Sequence, residues 1–203
     1  MNLSAYRNIF AATTLVLILL AISPLYLQSF TFLNRTKPFS EIWILGPTHM
    51  AEKYALNVSV NQSNTLFLSV RNHMGFSAYY ILYIKFRNQS QLLPSLSSSN
   101  PSPLLPIHQP NVFLANNEAW EEVLDFKVLD ASRRGDYLFL SNISINGAIV
   151  AVDRFSMWDQ EYKGFYYQLF FELWMYNTTS LGFQYLNQYV GIWFNVTDHI
   201  SHN

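Results

Sequence analysis

Tyr137-Leu138-Phe139-Leu140-Ser141-Asn142-Ile143-Ser144-Ile145-Asn146-Gly147-Ala148-Ile149-Val150-Ala151-Val152-Asp153-Arg154-Phe155 carries a strong hairpin signal. Two apolar runs meet at Asn146-Gly147, and both of these residues tolerate the positive φ that a two-residue hairpin turn demands. A hairpin is therefore expected, with Tyr137 to Ile145 as one strand and Ala148 to Phe155 as its return. Downstream, Tyr166 to Tyr176 reads as a long aromatic strand, followed by Leu181 to Leu186 and Val190 to Val196. Upstream, Glu41 to Leu45 is an extended run stopped by Gly46-Pro47, and Leu56 to Val60 alternates. Thr65 to Val70 is expected to pair with Leu56 to Val60 as a hairpin across the polar turn 61–64. Ala78 to Phe86 follows the Asn72-His73-Met74-Gly75 turn, and Trp120, Val123 and Phe126 to Leu129 form a strand region that turns at Arg133-Arg134-Gly135-Asp136. About eight to ten strands separated by turn signals, with no amphipathic helix among them, predict a mainly β domain: an immunoglobulin-like antiparallel β-sandwich.

Between residues 88 and 110 the composition changes, with Ser95, Ser97, Ser98 and Ser99 and the prolines Pro94, Pro101, Pro103, Pro106 and Pro110. That density of proline removes too many backbone donors for a regular element, so a long surface loop is expected. Leu104, Leu105 and Ile107 are its packing residues, and its length makes it a candidate partner contact.

The chain has 203 residues, no cysteine, 12% charged residues and a formal net charge of -1. The missing cysteines exclude disulfides, thiolate metal sites and thiol nucleophiles together. The weak, balanced charge leaves no basic footprint for nucleic acid. With so few carboxylates, folding is expected to depend little on acid.

Residues 8–34 carry no charge between Arg7 and Arg35. The apolar part is long enough for a hydrocarbon core of about 30 Å. The expected organisation is a short cytoplasmic N-terminus (1–8), one N-terminal transmembrane helix (9–33) and an extracytoplasmic domain (34–203). A cleaved signal is the alternative, with Ala21-Ile22-Ser23 as the nearest cleavage site. Pro24 would follow the cut directly, which favours retention, and Tyr26, Phe30 and Phe32 then serve as interfacial aromatics. Orientation comes from Asn-X-Ser/Thr sequons at Asn34, Asn57, Asn61, Asn88, Asn142, Asn177 and Asn195, all after the anchor, whereas Pro101 disqualifies Asn100. They make N-linked glycans the expected modification and place the domain outside the cell membrane on a single-pass anchor.

Ser40-Glu41-Ile42-Trp43-Ile44-Leu45-Gly46-Pro47, then Ala51-Glu52-Lys53-Tyr54, Asn57-Val58-Ser59-Val60 and Val70-Arg71-Asn72-His73, run in an order that resembles the archaeal domain-of-unknown-function family 1616. Phe171 to Asn177 and Ile192 to Thr197 are similar to the carboxy-terminal strands of its crenarchaeal members. The resemblance covers about residues 38 to 197. It implies an archaeal, envelope-facing β domain and no established activity. This chain has one expected membrane segment where longer members have several.

Few residues are arranged for chemistry. Glu118, Glu121, Glu122 and Asp125 surround Trp120, as a glycosidase's paired carboxylates would, and an edge-strand rim explains them equally. Asp153, Asp159 and Glu161 flank Trp158 without a calcium-loop pattern. His49, His73, His108, His199 and His202 show no shared spacing for a metal. The consecutive aromatics Tyr79-Tyr80, Tyr166-Tyr167 and Phe170-Phe171 must put large rings on both faces of a sheet. The expected function is thus non-enzymatic and without cofactor: protein–protein interaction within a membrane or surface assembly. The alternatives are a filament subunit, cleaved near its start and joined by strand addition through Phe39 to Leu45, and a carbohydrate-binding domain using Trp120 or Trp158.

Overall fold

The structure, a computed structural model, describes residues 6, 10–23, 37–95 and 97–197. The chain divides into two units, Met1–Pro38 and Phe39–Asn203.

In the first unit residues 10–23 are helical. Its hydroxyls turn back on the helix, Thr14 Oγ1 to the Phe10 carbonyl (2.8 Å) and Ser23 Oγ to that of Leu20 (3.1 Å). Among the described residues no helix is long and apolar enough to cross a membrane. Of the transmembrane helix expected over 9–33, residues 10–23 are described and reach about 21 Å at roughly 1.5 Å per residue; the rest of that span lies outside the described residues. Pro24, Tyr26, Phe30, Phe32 and Asn34 lie outside the described residues.

The described residues of the second unit form ten strands: β1 (Phe39–Leu45), β2 (Asn57–Ser59), β3 (Asn64–His73), β4 (Ala78–Asn88), β5 (Asn111–Leu114), β6 (Ala119–Arg134), β7 (Tyr137–Ile145), β8 (Ala148–Asp159), β9 (Gly164–Asn177) and β10 (Gly182–Thr197). The mainly β expectation holds. Asn146 (φ 49°) and Gly147 (φ 84°) make the expected turn, and Ile145 pairs with Ala148 across it.

Strands β1-β3-β6-β7-β8 form one antiparallel half, and β5-β4-β9-β10 the other. The halves join where β8 meets β9, at Trp158↔Phe165 and Asp159↔Gly164. The sheet curls there, so that Phe126 of β6 lies 5.4 Å from Phe194 of β10, and Tyr167 Oη of β9 donates to the Leu138 carbonyl of β7 (2.6 Å). Inward positions recur every second residue: Leu66, Leu68 and Val70 on β3, Leu82, Ile84 and Phe86 on β4, Leu169, Phe171 and Leu173 on β9. Each such side chain contributes about 1.5–3 kcal/mol by leaving water.

Two expectations change. β2 does not form a hairpin with β3; it pairs in parallel with β10, from Asn57↔Asn195 to Ser59↔Thr197. Both edges of β3 are already occupied, by β1 and β6, and β2 inserts Val58 into the core from the far side. The two C-terminal strands are a single one, β10, whose register shifts between Tyr185 and Tyr189.

Among its described residues the loop after β4 has the Ser95↔Asn100 bridge within itself and Ile84↔His108 to β4. Its end runs along β4: Leu82 N donates to the Pro110 carbonyl (3.0 Å), Ile84 N to that of His108 (2.9 Å), and Ile107 N to that of Ile84 (2.8 Å). Ile107 packs against the core, whereas Leu105 is 84% exposed.

Candidate interaction surface

Alternation puts Tyr79, Tyr83, Lys85 and Arg87 of β4 on the outer face of its sheet. Beside them are Gln168, Phe170, Glu172, Trp174 and Tyr176 of β9, and Phe183, Tyr185 and Trp193 of β10. The middle of this face is covered. Lys85 Nζ lies 2.8 Å from Glu172 Oε2 and donates to the Ser102 carbonyl (2.8 Å), while Ser102 N donates to Glu172 Oε1 (2.7 Å). The Trp174 indole N–H completes the carboxylate's shell at 3.1 Å. One serine of the proline-rich loop thus clamps a buried ion pair, and the loop roofs its own sheet.

That roof explains how both Phe170 and Phe171 are fully buried on opposite faces. Opposite Phe170 stands Gly191, where a Cβ would come within 2.7 Å of the Phe170 Cβ. Next to the clamp the Tyr185 hydroxyl is buried without a hydrogen-bond partner among the described residues. Burial, then the Glu172 charge and Tyr189, push its pKa well above the ordinary phenol range.

Beyond the clamp the face is open. Phe183 lies 5.4 Å from Tyr79 and 5.5 Å from Tyr176, and Phe113 of the edge strand β5 is 65% exposed alongside. Together with Phe76, Ala78, Met175 and Asn177, residues Tyr79, Tyr176 and Phe113 line a concavity of about 380 Å³ that has no charged wall. An uncharged aromatic hollow of this kind offers dispersion and apolar burial to a partner and no acid–base chemistry.

A second, larger cleft of about 940 Å³ separates β1 from β10, lined by Ser40 to Trp43, Arg71, Gln168 and residues 187–191. β1 pairs with β3 on one side, and among the described residues its other edge has no strand. The side-chain oxygens of Gln168 and Gln188, both on this cleft, are buried without a partner among the described residues.

The sequons separate by what their amides already do. Asn34 lies outside the described residues. Asn61 is exposed at positive φ (65°), and its side chain makes no hydrogen bond with a described residue. Asn57 is exposed on β2 and accepts from Asn195 Nδ2 (3.2 Å). Asn88 donates to the Phe155 carbonyl (2.6 Å) and accepts from the Ser90 and Gln91 amides; Asn177 donates to Gln184 (2.8 Å) and accepts from the Thr179 amide. Asn195 also accepts from the Phe165 amide (2.9 Å), and half-buried Asn142 contacts Ser141 Oγ (3.2 Å).

The acidic cluster around Trp120 does not converge. Glu121 and Glu122 point to opposite faces of β6, Trp120 packs on the core, and Asp125 accepts from Ser63 Oγ. His49 faces Glu121 (3.1 Å), His73 faces Glu41 (3.3 Å) and His108 faces Glu122 (3.9 Å), each a different carboxylate. Asp153 and Glu161 are exposed, and Asp159 caps the β8–β9 turn through the amides of Glu161 and Tyr162. Among the described residues no three His, Cys, Asp or Glu side chains are grouped for a metal ion. His199 and His202 lie outside them.

Asn72 proves structural: its Nδ2 meets the carbonyls of Phe76, Leu114 and Ala115, and its Oδ1 accepts from Met74 N and Tyr80 Oη. Lys85, Glu172 and Ser102 escape a reading of motifs; the available signal is Lys85, with Arg87 two residues on, in one long aromatic strand and the lone carboxylate Glu172 in the other.

No family model matches the chain, and no curated protein does. Among solved structures it is similar to a CARDB domain from Pyrococcus furiosus, solved in complex with di-metal ions (10% identity, 79% of this chain and 90% of that one, TM-score 0.41). It is also similar to part of a β-glucosidase from Listeria innocua (8% identity, 78% of this chain and 16% of that one, TM-score 0.34). A β-glucosidase from Erythrobacter marinus matches comparably (9%, 79% and 16%, TM-score 0.38). The chain thus spans about a sixth of either glucosidase.

Proposed function

We propose that this chain is a non-enzymatic, N-glycosylated protein of an archaeal cell envelope. In this reading the uncharged N-terminal stretch tethers it to the membrane, and its immunoglobulin-like β-sandwich stands on the extracytoplasmic side as an accessory or structural subunit. The observation that carries the interaction role is the uncharged aromatic hollow lined by Phe76, Tyr79, Phe113 and Tyr176, with Phe183 packed against Tyr79 and Tyr176, left open where the proline-rich loop stops. The sequons and the family resemblance support the location. Purification from native membranes in mild detergent tests it. A partner should co-purify and be lost on Tyr79→Ser with Phe113→Ser, two exposed sites whose change leaves the core intact; a lone monomer under these conditions overturns the reading.

A second reading is favoured by the free edge of β1 beside its cleft. There an extended segment adds to Ser40 to Trp43 through main-chain hydrogen bonds, as in strand-addition filaments. Sequencing the mature terminus separates the two, since an intact Met1 excludes the cleaved filament subunit.

A further inference from the structure

At the other end of β4, β9 and β10 from the aromatic hollow, Gln89, Asp159, Tyr162, Tyr166 and Trp193 line a pocket of about 370 Å³. Register sets its walls: Arg87 and Trp193 both pair with Gln168, from opposite sides of β9, and the β8–β9 turn brings up Asp159 and Tyr162.

Each wall is held from behind. The Arg87 guanidinium lies 4.9 Å from the centre of the Trp193 ring and donates to the Asn88 and Gln89 carbonyls (3.0 and 3.3 Å), so one cation braces both the indole and the turn carrying Gln89. Ser156 Oγ holds one arm of the Gln89 amide (2.7 Å) and contacts the Tyr166 carbonyl (3.0 Å). Asp159 Oδ1 takes the Glu161 and Tyr162 amides (both 2.9 Å), and Tyr166 Oη donates to the Tyr162 carbonyl (2.8 Å). The Tyr162 and Tyr166 rings stand edge to face, 6.2 Å apart at 78°.

What these bonds leave over is the part offered to a ligand. Asp159 Oδ2, the second arm of the Gln89 amide, Tyr162 Oη and the Trp193 indole N–H make no hydrogen bond with another described residue. Aromatic faces with a few hydrogen-bonding groups at their rim suit a molecule with one apolar C–H face and a girdle of hydroxyls. We propose that this pocket binds a neutral sugar residue: a pyranose stacked on the aromatic wall, with hydroxyls donating to Asp159 Oδ2 and meeting the free arm of Gln89. The alternative occupant of an aromatic corner beside a carboxylate is an alkylammonium cation. Arg87 decides against it, because its charge already lies against the Trp193 ring and opposes a second cation there, whereas a neutral polyol meets no repulsion. The tryptophan that matters is thus Trp193. Neither Trp120 nor Trp158 lines this pocket; both pack against the core.

The test uses the full chain in a detergent without a sugar headgroup. It is titrated with methyl pyranosides of glucose, galactose, mannose and N-acetylglucosamine, and separately with choline, with tryptophan fluorescence and saturation-transfer NMR as readouts. At least one pyranoside should bind at a single site, and Y162A and D159N should each weaken it by about tenfold, the loss of one good contact. Tyr162 is 65% exposed, and Asn at 159 retains the oxygen that caps the turn, so both variants are expected to fold, as circular dichroism checks. No pyranoside binding at about 100 mM, a concentration far above millimolar affinities, overturns the proposal. So do binding unchanged in both variants and a preference for choline. The proposal is independent of the interaction hollow, which lies at the opposite end of the sheet.

Discussion

The Lys85 ammonium lies 2.8 Å from the Glu172 carboxylate, on neighbouring strands β4 and β9, with side chains 4% and 0% exposed. Two charges on what would be the solvent face of a sheet are held out of water by a loop rich in proline, whose Ser102 supplies both a donor and an acceptor to the pair. Desolvation makes such a pair a poor source of net stability, yet breaking it leaves a bare buried charge. Its role is to specify where the loop lies.

Lys85→Met is therefore expected to lower the unfolding free energy by about 3–5 kcal/mol, because Glu172 stays buried without a counter-charge. The double variant Lys85→Met with Glu172→Leu should recover most of that loss. Urea unfolding gives the energies, and subtilisin digestion reports release of residues 89–110. A double variant as unstable as the sum of the singles overturns the account.

Asn72 serves five partners at the turn between β3 and β4. Asn72→Ala leaves buried carbonyls and the Tyr80 hydroxyl short of partners, each worth about 1–3 kcal/mol when unsatisfied. The thermal midpoint should fall by several degrees or more, measured by circular dichroism, with His73→Ala as the mild control at the neighbouring position.

Alkaline pH should unfold this protein early. Burial raises the phenol pKa of Tyr80, Tyr167 and Tyr185, in the last with help from Glu172. The unfolded chain loses these protons at about pH 10 while the folded one keeps them, so the stability they contribute is complete below that pH and is lost as pH rises beyond it. Titration of tyrosinate absorbance should show these phenols ionising only as the protein unfolds. Tyr185→Phe should flatten the pH dependence and, by removing an unpartnered hydroxyl, leave stability at neutral pH equal or higher.

Among the described sequons, Asn61 is expected to carry glycan at the highest occupancy and Asn88, Asn177 and Asn195 at the lowest, because the amides of the last three are already bound on both sides. Intact glycopeptide mass spectrometry reads the order directly. Asn61→Gln should remove that glycan and change stability by no more than about 0.5 kcal/mol, as an exposed surface substitution does. High occupancy at Asn195 with none at Asn61 reverses the prediction.

The strands were legible because their signals are local. Alternation every second residue marks Leu66, Leu68 and Val70 as one face, Asn146-Gly147 turns the chain whatever lies around it, and Phe170-Phe171 puts large rings on both faces of its strand, without indicating that both would be buried. The candidate sites were not. Sequons mark where an asparagine stands, but whether its amide is free depends on the Phe155 carbonyl beside Asn88 or the Asn57 side chain beside Asn195. Trp193 becomes a pocket wall only because Arg87 backs it and the β8–β9 turn faces it.

By itself, then, the amino-acid order determined that this is a cysteine-free, weakly charged, mainly β chain with an uncharged N-terminal stretch and a proline-rich interruption. Tertiary structure decided which strands are neighbours, that β2 joins β10 across 138 residues, and that the interruption roofs its own sheet over Lys85 and Glu172. The reason is physical. Any extended strand offers the same donors and acceptors along both edges, so pairing is chosen only when the whole chain buries its apolar faces at once.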